Sequence, residues 1–387
     1  MGALDGRLPG RVRGRLAGAV NYFALPALAA AAYYLLALLA AVLRLLSRES
    51  VAEVLPPVSI LKPIHGHDPD FYHAIRSHAA QDYPEFEILF GIRDPDAGAR
   101  ADIEKVAAEF PNRSIRLLHV TREAPNGKVG VLSELAKVAR NPILLVNDSD
   151  IFVEQGYLRR VVAPLADPRV GVVTCLYRAR AESGPSRWEA IGLETEFVPS
   201  VLVARLIGQS GFALGSTMVF RAEQIRQIGG FDAVEDYIAD DYQLGARVAA
   251  LGYKVALAAP VVETDLGGES WSEVWRHQLR WSRTIRVSRT GGYFGYVVTH
   301  ATLWALVALA TGSWLIATSA LAIRMAAGVL VSFAVLGERQ ILSDFWLIPA
   351  RDLWGFAVWV GGLFGKTVRW RDKTLRLSAD GRIRPIN

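Results

Sequence analysis

The 387-residue sequence contains a single cysteine, Cys175, and no internal repeat or low-complexity segment. One thiol cannot build a disulfide framework, and it cannot supply the cysteine ligands of a zinc site within one chain. Cys175 falls in a predicted strand over residues 170–177, where a buried core thiol is expected. A disulfide-stabilised or cysteine-zinc protein is therefore excluded, and the chain is not assembled from repeated units.

The basic charge balance does not indicate a nucleic-acid partner. The formal net charge is +5 and the isoelectric point is about 9.3, but the basic residues flank two apolar blocks at the ends of the chain. These flanking residues are Arg7, Arg11, Arg13 and Arg15 before the first block and Arg369, Arg371, Lys373 and Arg376 after the second. This placement fits anionic lipid headgroups. We therefore expect a lipid bilayer, and no nucleic acid, as a partner.

The apolar residues are concentrated at the two ends. Hydrophobic residues make up 51% of the chain, more than in a typical soluble domain. The first block, residues 20–46, exceeds the roughly 20 residues that cross a bilayer as a helix. It is too long for a cleaved signal peptide, and no clean small-residue cleavage site follows it. We predict a basic N-terminal segment over residues 1–19 and a transmembrane helix over 20–46.

The second apolar block predicts a transmembrane region over residues 297–365, with two or three passes. Charged residues interrupt it at Arg324, at Glu338-Arg339 and at Arg351-Asp352, so the number of passes stays open. We expect residues 263–296 before it to form an interfacial segment. The basic segment 366–387 after it is expected to be a cytosolic tail, which favours an even number of C-terminal crossings.

Between the blocks, the chain alternates apolar strand patterns with helical patterns from residue 58 onward. A regular βαβα order predicts an α/β domain with a mostly parallel, Rossmann-like sheet and right-handed crossovers. We assign this domain to residues 55–262.

Two carboxylates follow one of the predicted strands. The apolar run 142–147 reads as a buried parallel strand and is followed by Asp148-Ser149-Asp150. Open α/β sheets bind ligands at the carboxyl ends of their strands. Carboxylate oxygens suit a hard divalent cation, here Mg²⁺ or Mn²⁺, together with the diphosphate that it carries. The pattern alone is common in solvated loops, so its interpretation depends on the rest of the chain.

Two later segments carry further candidate residues. Asp240 and Asp241 open a predicted helix, where acidic residues are also favoured by the helix dipole alone. Residues 271–289 have tryptophans and arginines at helical spacing. They predict an amphipathic helix on the membrane surface, with tryptophans toward the acyl chains. Its arginines could alternatively bind phosphate.

Several motifs occur together in one order along the chain. They are Lys62-Pro63, Gln81-Asp82-Tyr83-Pro84, Arg93-Asp94, Asn126-Gly127-Lys128, Asp148-Ser149-Asp150, Tyr237 to Tyr242, and Arg280-Trp281. As a set they resemble the ceramide glucosyltransferase family of inverting glycosyltransferases with the GT-A fold, over nearly the whole chain. Segments 213–218, 239–245 and 277–281 are similar to the bacterial hopanoid-biosynthesis branch of that family.

The resemblance implies roles for the nucleotide-sugar site. Asp94 matches the aspartate that contacts the uridine, and Lys128 matches a lysine of the nucleotide pocket. Asp148 and Asp150 match the metal motif, with Asp150 the metal ligand and Asp148 a sugar or ribose contact that can also serve the metal.

The resemblance also implies the catalytic groups. Asp241 matches the catalytic aspartate, with Asp240 as its neighbour, and Arg280 and Trp281 match the arginine-tryptophan pair that closes the site. The family has Gln or Arg three positions before this arginine, where this chain has His277. The role of that position is therefore open among His277, Gln278 and Arg276.

The function implied by the resemblance is transfer of N-acetylglucosamine or glucose from a UDP-sugar to a hydroxyl of a membrane lipid. The favoured acceptor is a polyhydroxylated hopanoid, and ceramide is the alternative. A UDP-sugar donor would place the catalytic domain on the cytoplasmic face of a bacterial-type inner membrane, in a multi-pass protein.

Three other functions fit the sequence less well. A processive polysaccharide synthase shares the same core but usually has more membrane helices than the C-terminal block offers. An inactive, membrane-anchored sugar-nucleotide sensor is disfavoured because every acidic motif position is intact. A transporter is disfavoured because the long central part of the chain has the pattern of a soluble domain.

Overall fold

The computed structural model describes residues 22–47, 49, 51–68, 70–93, 96–370 and 373–386. The predicted basic segment 1–19 and the predicted uridine contact Asp94 lie outside the described residues.

A seven-stranded sheet forms the centre of the described chain. Its strands β1 to β7 are Val58–Ile64, Phe86–Ile92, Ser114–His119, Ile143–Val146, Val170–Arg180, Met218–Arg221 and Lys254–Asp265, in the spatial order 3-2-1-4-6-5-7. Strands β1 to β4 run parallel, β6 is antiparallel to β4 and β5, and β5 is parallel to β7. The sheet confirms the predicted mostly parallel α/β class. Strand β7 extends the sheet to Asp265, three residues into the expected interfacial segment.

Helices cover both faces of this sheet and continue into the two apolar ends. Helices α1 to α8 are Leu25–Leu46, Phe71–Ala79, Ala97–Glu109, Gly127–Val138, Tyr157–Val162, Gly184–Gly192, Val198–Leu206 and Ala222–Gln227. Helices α9 to α15 are Asp240–Ala250, Trp271–Ser288, Thr290–Gly295, Ala301–Ala310, Trp314–Leu330, Ile341–Asp344 and Ile348–Leu363. A π-helical segment, Leu193–Phe197, joins α6 to α7, and a second, Val331–Val335, continues α13.

Local sequence explains several of these boundaries. Strands β1, β2 and β4 are buried along their whole length because they are continuous apolar runs inside a parallel sheet. Helix α4 begins where the Asn126 side chain accepts a hydrogen bond from the Val129 amide. Strand β6 is confined to Met218–Arg221, the residues that pair with β4 and β5.

Among the described residues, two helices are long and apolar enough to cross a membrane: Tyr22–Leu46 and Trp314–Val335. The pair Thr290–Thr299 and Ala301–Ala310, bent by 51°, can be counted as a third span. In the described C-terminal block, length and composition thus allow one crossing, or two with the bent pair. Alanines fill the contact between the helices, as in membrane bundles where small residues let backbones approach. The shared cluster contains Ala24, Ala27, Ala305, Ala308, Ala317 and Ala320.

Two of the charged residues that interrupt the apolar block are paired with each other inside the helix bundle. Arg324 of α13 lies 2.6 Å from the Asp352 carboxylate of α15, and both side chains are almost completely buried. The second oxygen of Asp352 accepts hydrogen bonds from the Thr302 amide and hydroxyl. The interruption therefore reflects packing between helices, because a buried charge is stable only when it is paired.

The tryptophans of helix α10 differ from their predicted orientation. Trp271 and Trp275 pack against Trp354 of α15, with ring centroids 5.9 and 5.2 Å apart, and Trp188 joins the cluster. Only Trp271 of the α10 pair remains about half exposed. The tryptophan face that was expected to meet lipid is largely covered by protein, because α15 returns along it.

The basic C-terminal segment 366–387 forms a small antiparallel sheet over most of its described part. Strands β8 to β10 are Thr367–Trp370, Lys373–Leu377 and Ile383–Pro385. Leu375 and Ile383 pack with Ile238, and the Ile383 amide donates to the Asp236 carbonyl at 2.7 Å. This sheet therefore braces the segment that leads into Asp240 and Asp241.

Candidate active site

The carboxyl edge of the sheet gathers acidic and basic side chains from elements far apart in sequence. Lys62, near the end of β1, is fully buried, and its Nζ donates to the Asp148 carbonyl at 3.0 Å. Burial lowers the pKa of Lys62 to about 7, against the opposing effect of Asp150 and Asp148. Lys62, which the sequence showed only as part of a motif, thus contacts the loop that carries Asp148 and Asp150.

Lys128 links the two acidic motifs. Its Nζ lies 2.6 Å from Asp148 Oδ1 and 3.7 Å from Asp240 Oδ2. Burial lowers the pKa of Lys128, but the charges of Asp148 and Asp240 outweigh it and leave the pKa raised. Lys128 reaches this position because it lies in the first turn of α4, after the Asn126 cap. Asn126 itself donates to the Tyr237 carbonyl at 2.7 Å, which ties α4 to the segment before α9.

Asp150 fits the role of a metal ligand. Burial, and then the nearby charge of Asp148, raises its pKa, while a hydrogen bond from the Thr264 hydroxyl opposes this rise. Two carboxylates that repel each other at a strand end are stabilised by a cation between them, and oxygen atoms are the ligands that Mg²⁺ and Mn²⁺ prefer. The residues present therefore fit a divalent metal, which a bound diphosphate would help to coordinate.

Asp241 is held by backbone amides. Its Oδ2 accepts from the Gly215 amide at 2.9 Å, and its Oδ1 accepts from the Tyr242 amide at 2.7 Å. A Cβ atom at Gly215 would lie 3.3 Å from Asp241 Oδ2, so glycine permits this close approach. Burial and the neighbouring Asp240 raise the pKa of Asp241 to about 6, and Lys128 opposes the rise. Asp240 is the ion-pair partner of Lys128, whereas the Asp241 carboxylate is oriented by the Gly215 amide in the loop before β6.

The residues predicted on α10 lie in a neighbouring cluster. His277 Nδ1 is 2.7 Å from Glu189 Oε1, and the His277 and Trp281 rings are 4.7 Å apart. Potential ligand atoms of Glu189, Glu269 and His277 lie within 4.8 Å of one another. Burial and then Glu189 raise the pKa of Glu269 to about 7, and the charge of Arg280 opposes this.

The buried Tyr177 is within electrostatic reach of both groups of carboxylates. Burial raises its pKa, and Asp241, Glu189, Asp148 and Asp150 add to the rise. The structure thus brings Lys128, Asp148, Asp150, Asp240 and Asp241 into one acidic centre, with the His277–Trp281 cluster beside it. Sequence reasoning missed Tyr177, Glu189, Glu269 and Thr264, because none of them belongs to a motif and only the tertiary fold brings them here.

Comparison with known proteins assigns the family. The chain matches the profile of glycosyl transferase family 21 over residues 22–383. The chain belongs to glycosyl transferase family 21. This confirms the resemblance at family level.

Individual relatives agree with the assignment. The chain is 24% identical to ceramide glucosyltransferase 3 of Caenorhabditis elegans over 352 residues, which cover 86% of this chain and 75% of the relative. It is 24% identical to the probable glycosyltransferase YdaM of Bacillus subtilis, over 61% of this chain and 56% of that protein.

The mannosyltransferase PcManGT from Pyrobaculum calidifontis, solved with GDP-Man and Mn²⁺, has a similar structure. The two structures have a TM-score of 0.52 and 20% sequence identity, and the match covers 88% of this chain and 99% of the mannosyltransferase. The fold is GT-A, as predicted.

Removing Lys128 should destabilise the acidic centre in a pH-dependent way. Lys128→Ala leaves Asp240 buried without its cation, and breaking such a pair costs about 3–5 kcal/mol of the free energy of unfolding near neutral pH. The penalty should shrink as the pH falls, because the unpaired carboxylates then take up protons. Thermal unfolding in detergent at pH 5 and pH 8 measures the difference.

The control is Lys137→Ala at the other end of the same helix. Lys137 pairs with Glu134 on an exposed surface, and such pairs contribute under about 1 kcal/mol. An equal loss of melting temperature for Lys128→Ala at both pH values would contradict the proposed charge pairing.

Proposed function

We propose that this protein transfers a single sugar, N-acetylglucosamine or glucose, from a UDP-sugar to a hydroxyl group of a membrane lipid, with inversion at the anomeric carbon. The observation that carries the proposal is the convergence of Asp148, Asp150, Lys128 and Asp241 at the carboxyl edge of a GT-A sheet. Such an edge binds nucleotides in open α/β folds. Membership of a glycosyltransferase family supports the reaction class.

The donor side uses the acidic loop and nearby cations. Asp150, with Asp148, would hold Mg²⁺ or Mn²⁺, which when bound neutralises the charge that develops on the leaving UDP. Lys128 adds a positive charge beside Asp148. Arg280, on α10, presents a planar guanidinium suited to phosphate oxygens. Asp94 is proposed to contact the uridine, and His277 and Trp281 to close the site over the sugar.

The acceptor side uses Asp241. Its carboxylate takes the proton of the acceptor hydroxyl while the hydroxyl oxygen bonds to the anomeric carbon and the bond to UDP breaks. A single in-line displacement inverts the anomeric centre, so an α-linked donor yields a β-glycoside. Asp240 keeps Lys128 in place beside this base. The Gly215 amide fixes the direction of the Asp241 carboxylate.

The acceptor is proposed to be a polyhydroxylated hopanoid, with ceramide as the alternative. Segments 213–218 and 239–245 support the hopanoid, whereas the curated relatives include ceramide glucosyltransferases. The two candidate spans support a membrane location. A UDP-sugar donor would require the catalytic domain to face the cytoplasm.

Product analysis tests the proposal directly. Purified protein is incubated with several UDP-sugars and a lipid extract that contains both hopanoid polyols and ceramides, and the products are analysed by mass spectrometry. We expect the mass of one hexose or one N-acetylhexosamine to be added to a hopanoid polyol. Polymer formation would indicate a polysaccharide synthase, glycosylated ceramide would correct the acceptor, and donor binding without any product would overturn the proposed activity.

The metal requirement can be tested at Asp150. Asp150→Ala should abolish transfer and weaken metal binding in the presence of UDP, because it removes the main proposed ligand. Isothermal titration of Mn²⁺ into the UDP-bound protein measures the binding. The control is Asp82→Ala, at an exposed carboxylate outside the acidic centre, which should behave as wild type. Full activity of wild-type protein in excess chelator would show that no metal is needed.

The base can be tested by comparing the two neighbouring aspartates. Asp241→Asn keeps the size of the side chain but removes its basicity, so kcat should fall by about 100-fold or more while UDP-sugar binding is retained. Since burial raises the pKa of Asp241 to about 6, wild-type kcat should rise with pH through about 6 and then level off. An inactive Asp240→Asn beside an active Asp241→Asn would assign the base to Asp240.

A further inference from the structure

The cluster beside the acidic centre contains buried carboxylate oxygens that make no hydrogen bond. Glu189 of α6 is only 4% exposed, and within the described part of the chain both of its side-chain oxygens lack a hydrogen-bond partner. One oxygen of Glu269, in the segment between β7 and α10, is also buried and unpartnered there. An unpaired polar atom away from water costs free energy. These oxygens therefore call for a bound proton or cation.

His277 of α10 contributes a nitrogen to the same cluster. Its Nδ1 lies 2.7 Å from Glu189 Oε1, yet neither atom has a hydrogen-bond partner among the described residues. The contact thus has the distance of a hydrogen bond without its direction. The ligands of one metal ion meet in this way, because each directs a lone pair at the ion and not at its neighbour. Glu269 completes a set of three potential ligand atoms within 4.8 Å of one another.

The two carboxylates of the cluster disfavour each other. Burial, and then the charge of Glu189, raises the pKa of Glu269 to about 7, although the charge of Arg280 acts in the opposite direction. An ionised carboxylate can only accept hydrogen bonds, so two of them cannot bond to each other. A divalent cation between them would remove the repulsion that remains in the presence of Arg280.

Backbone contacts, and not the charges, bring the two glutamates together. The Ser183 hydroxyl at the start of α6 donates to the Glu269 carbonyl at 2.9 Å, and the Glu269 amide donates to the Ser186 hydroxyl at 3.1 Å. Ser186 also donates to the Gly267 carbonyl at 2.7 Å. Because Ser186 and Glu189 are three residues apart on one helix, they share a face. The segment that carries Glu269 is therefore fastened beside Glu189 before any ion binds.

The donor set indicates the class of metal. One imidazole nitrogen and two carboxylate oxygens are ligands of Zn²⁺, whereas Mg²⁺ prefers oxygen alone. Zinc bonds to such atoms are about 2.0–2.2 Å long, so ligand atoms of one ion lie at most about 4 Å apart. Small rotations of the side chains would bring the three atoms to that spacing. Asp148 and Asp150 offer only oxygens, so the two groups of ligands differ in the metal that they favour.

We infer that Glu189, Glu269 and His277 bind a second divalent cation, of the Zn²⁺ class, apart from the metal proposed at Asp150. The ion would join α6, the segment before α10 and α10 itself at one point. Arg280 follows His277 within one helical turn, so the ion would fix the helix that carries this arginine. The inference goes beyond the proposed function, since it concerns a cation that binds without donor or acceptor.

Metal analysis tests the second site. Tag-free full-length protein in detergent is equilibrated with Zn²⁺ in excess Mg²⁺, which competes for the oxygen ligands of the acidic centre, and bound zinc is counted by elemental analysis after gel filtration. We expect one zinc ion per chain, retained in Asp150→Ala. Glu269→Gln should weaken zinc affinity at least about tenfold, since losing even an outer partner of a metal site costs that much.

The matched control is Glu273→Gln, which removes the same charge four residues later. Glu273 is exposed and forms a capping box with Ser270 at the start of α10, a role that glutamine also fills. Its zinc affinity should equal that of the wild type.

Thermal unfolding distinguishes a metal ligand from a residue that only supports the fold. In chelator, Glu269→Gln should melt no lower than wild type, because it removes one of two carboxylates that repel each other. Excess Zn²⁺ should raise the melting temperature of wild type and of Glu273→Gln and leave that of Glu269→Gln unchanged. A Glu269→Gln protein that melts below wild type in chelator would show that this carboxylate is satisfied within the protein, and would overturn the site.

The remaining outcomes are equally decisive. Wild-type protein without stoichiometric zinc, or Glu269→Gln with wild-type affinity, would overturn the second site. Loss of the zinc in Asp150→Ala would assign the ion to the acidic centre and overturn it as well. None of these results bears on the transfer reaction, which the product analysis tests separately.

Discussion

The arrangement of the acidic centre depends on the ion pairs of Lys128. This side chain joins Asp148 at the end of β4 to Asp240 at the start of α9, two elements separated by about ninety residues in the sequence. Asp240 forms an ion pair with Lys128, whereas its neighbour Asp241 is directed by the Gly215 amide. A carboxylate in that position keeps a raised pKa, which suits a group that must gain a proton during each turnover. One cation thus assigns different environments to two adjacent aspartates.

Buried ion pairs serve the helices of the apolar C-terminal block in a similar way. Arg324 and Asp352 join α13 to α15, and Arg351 lies beside Glu196 in the π segment 193–197. Such pairs add little net stability compared with apolar packing, but they penalise any arrangement that separates the partners. They hold α15 against the catalytic domain, although α15 is too short to satisfy the length expected of a membrane span.

The sequence patterns located the parts of the structure that depend on local periodicity. The apolar runs of β1, β2 and β4 predicted a parallel sheet, and the rule for strand ends located Asp148 and Asp150 at its edge. Patterns failed where long-range contacts decide the structure. Residues 212–217 form a loop in which the Gly215 amide donates to Asp241, and the basic C-terminal segment forms a small sheet in which the Ile383 amide donates to the Asp236 carbonyl. Neither contact has a periodic signature.

Helix α10 shows how the helical period can join two functions in one element. Successive residues of a helix are turned by roughly 100°, so residues three, four or seven apart share a face. Gln278 bonds to Trp354 of α15, while His277, one residue earlier on the adjacent face, pairs with Glu189 of α6. A rigid helix of this kind sets the position of Arg280, whose guanidinium is proposed to bind the leaving diphosphate. That group would then be aligned by the backbone itself rather than by a flexible loop.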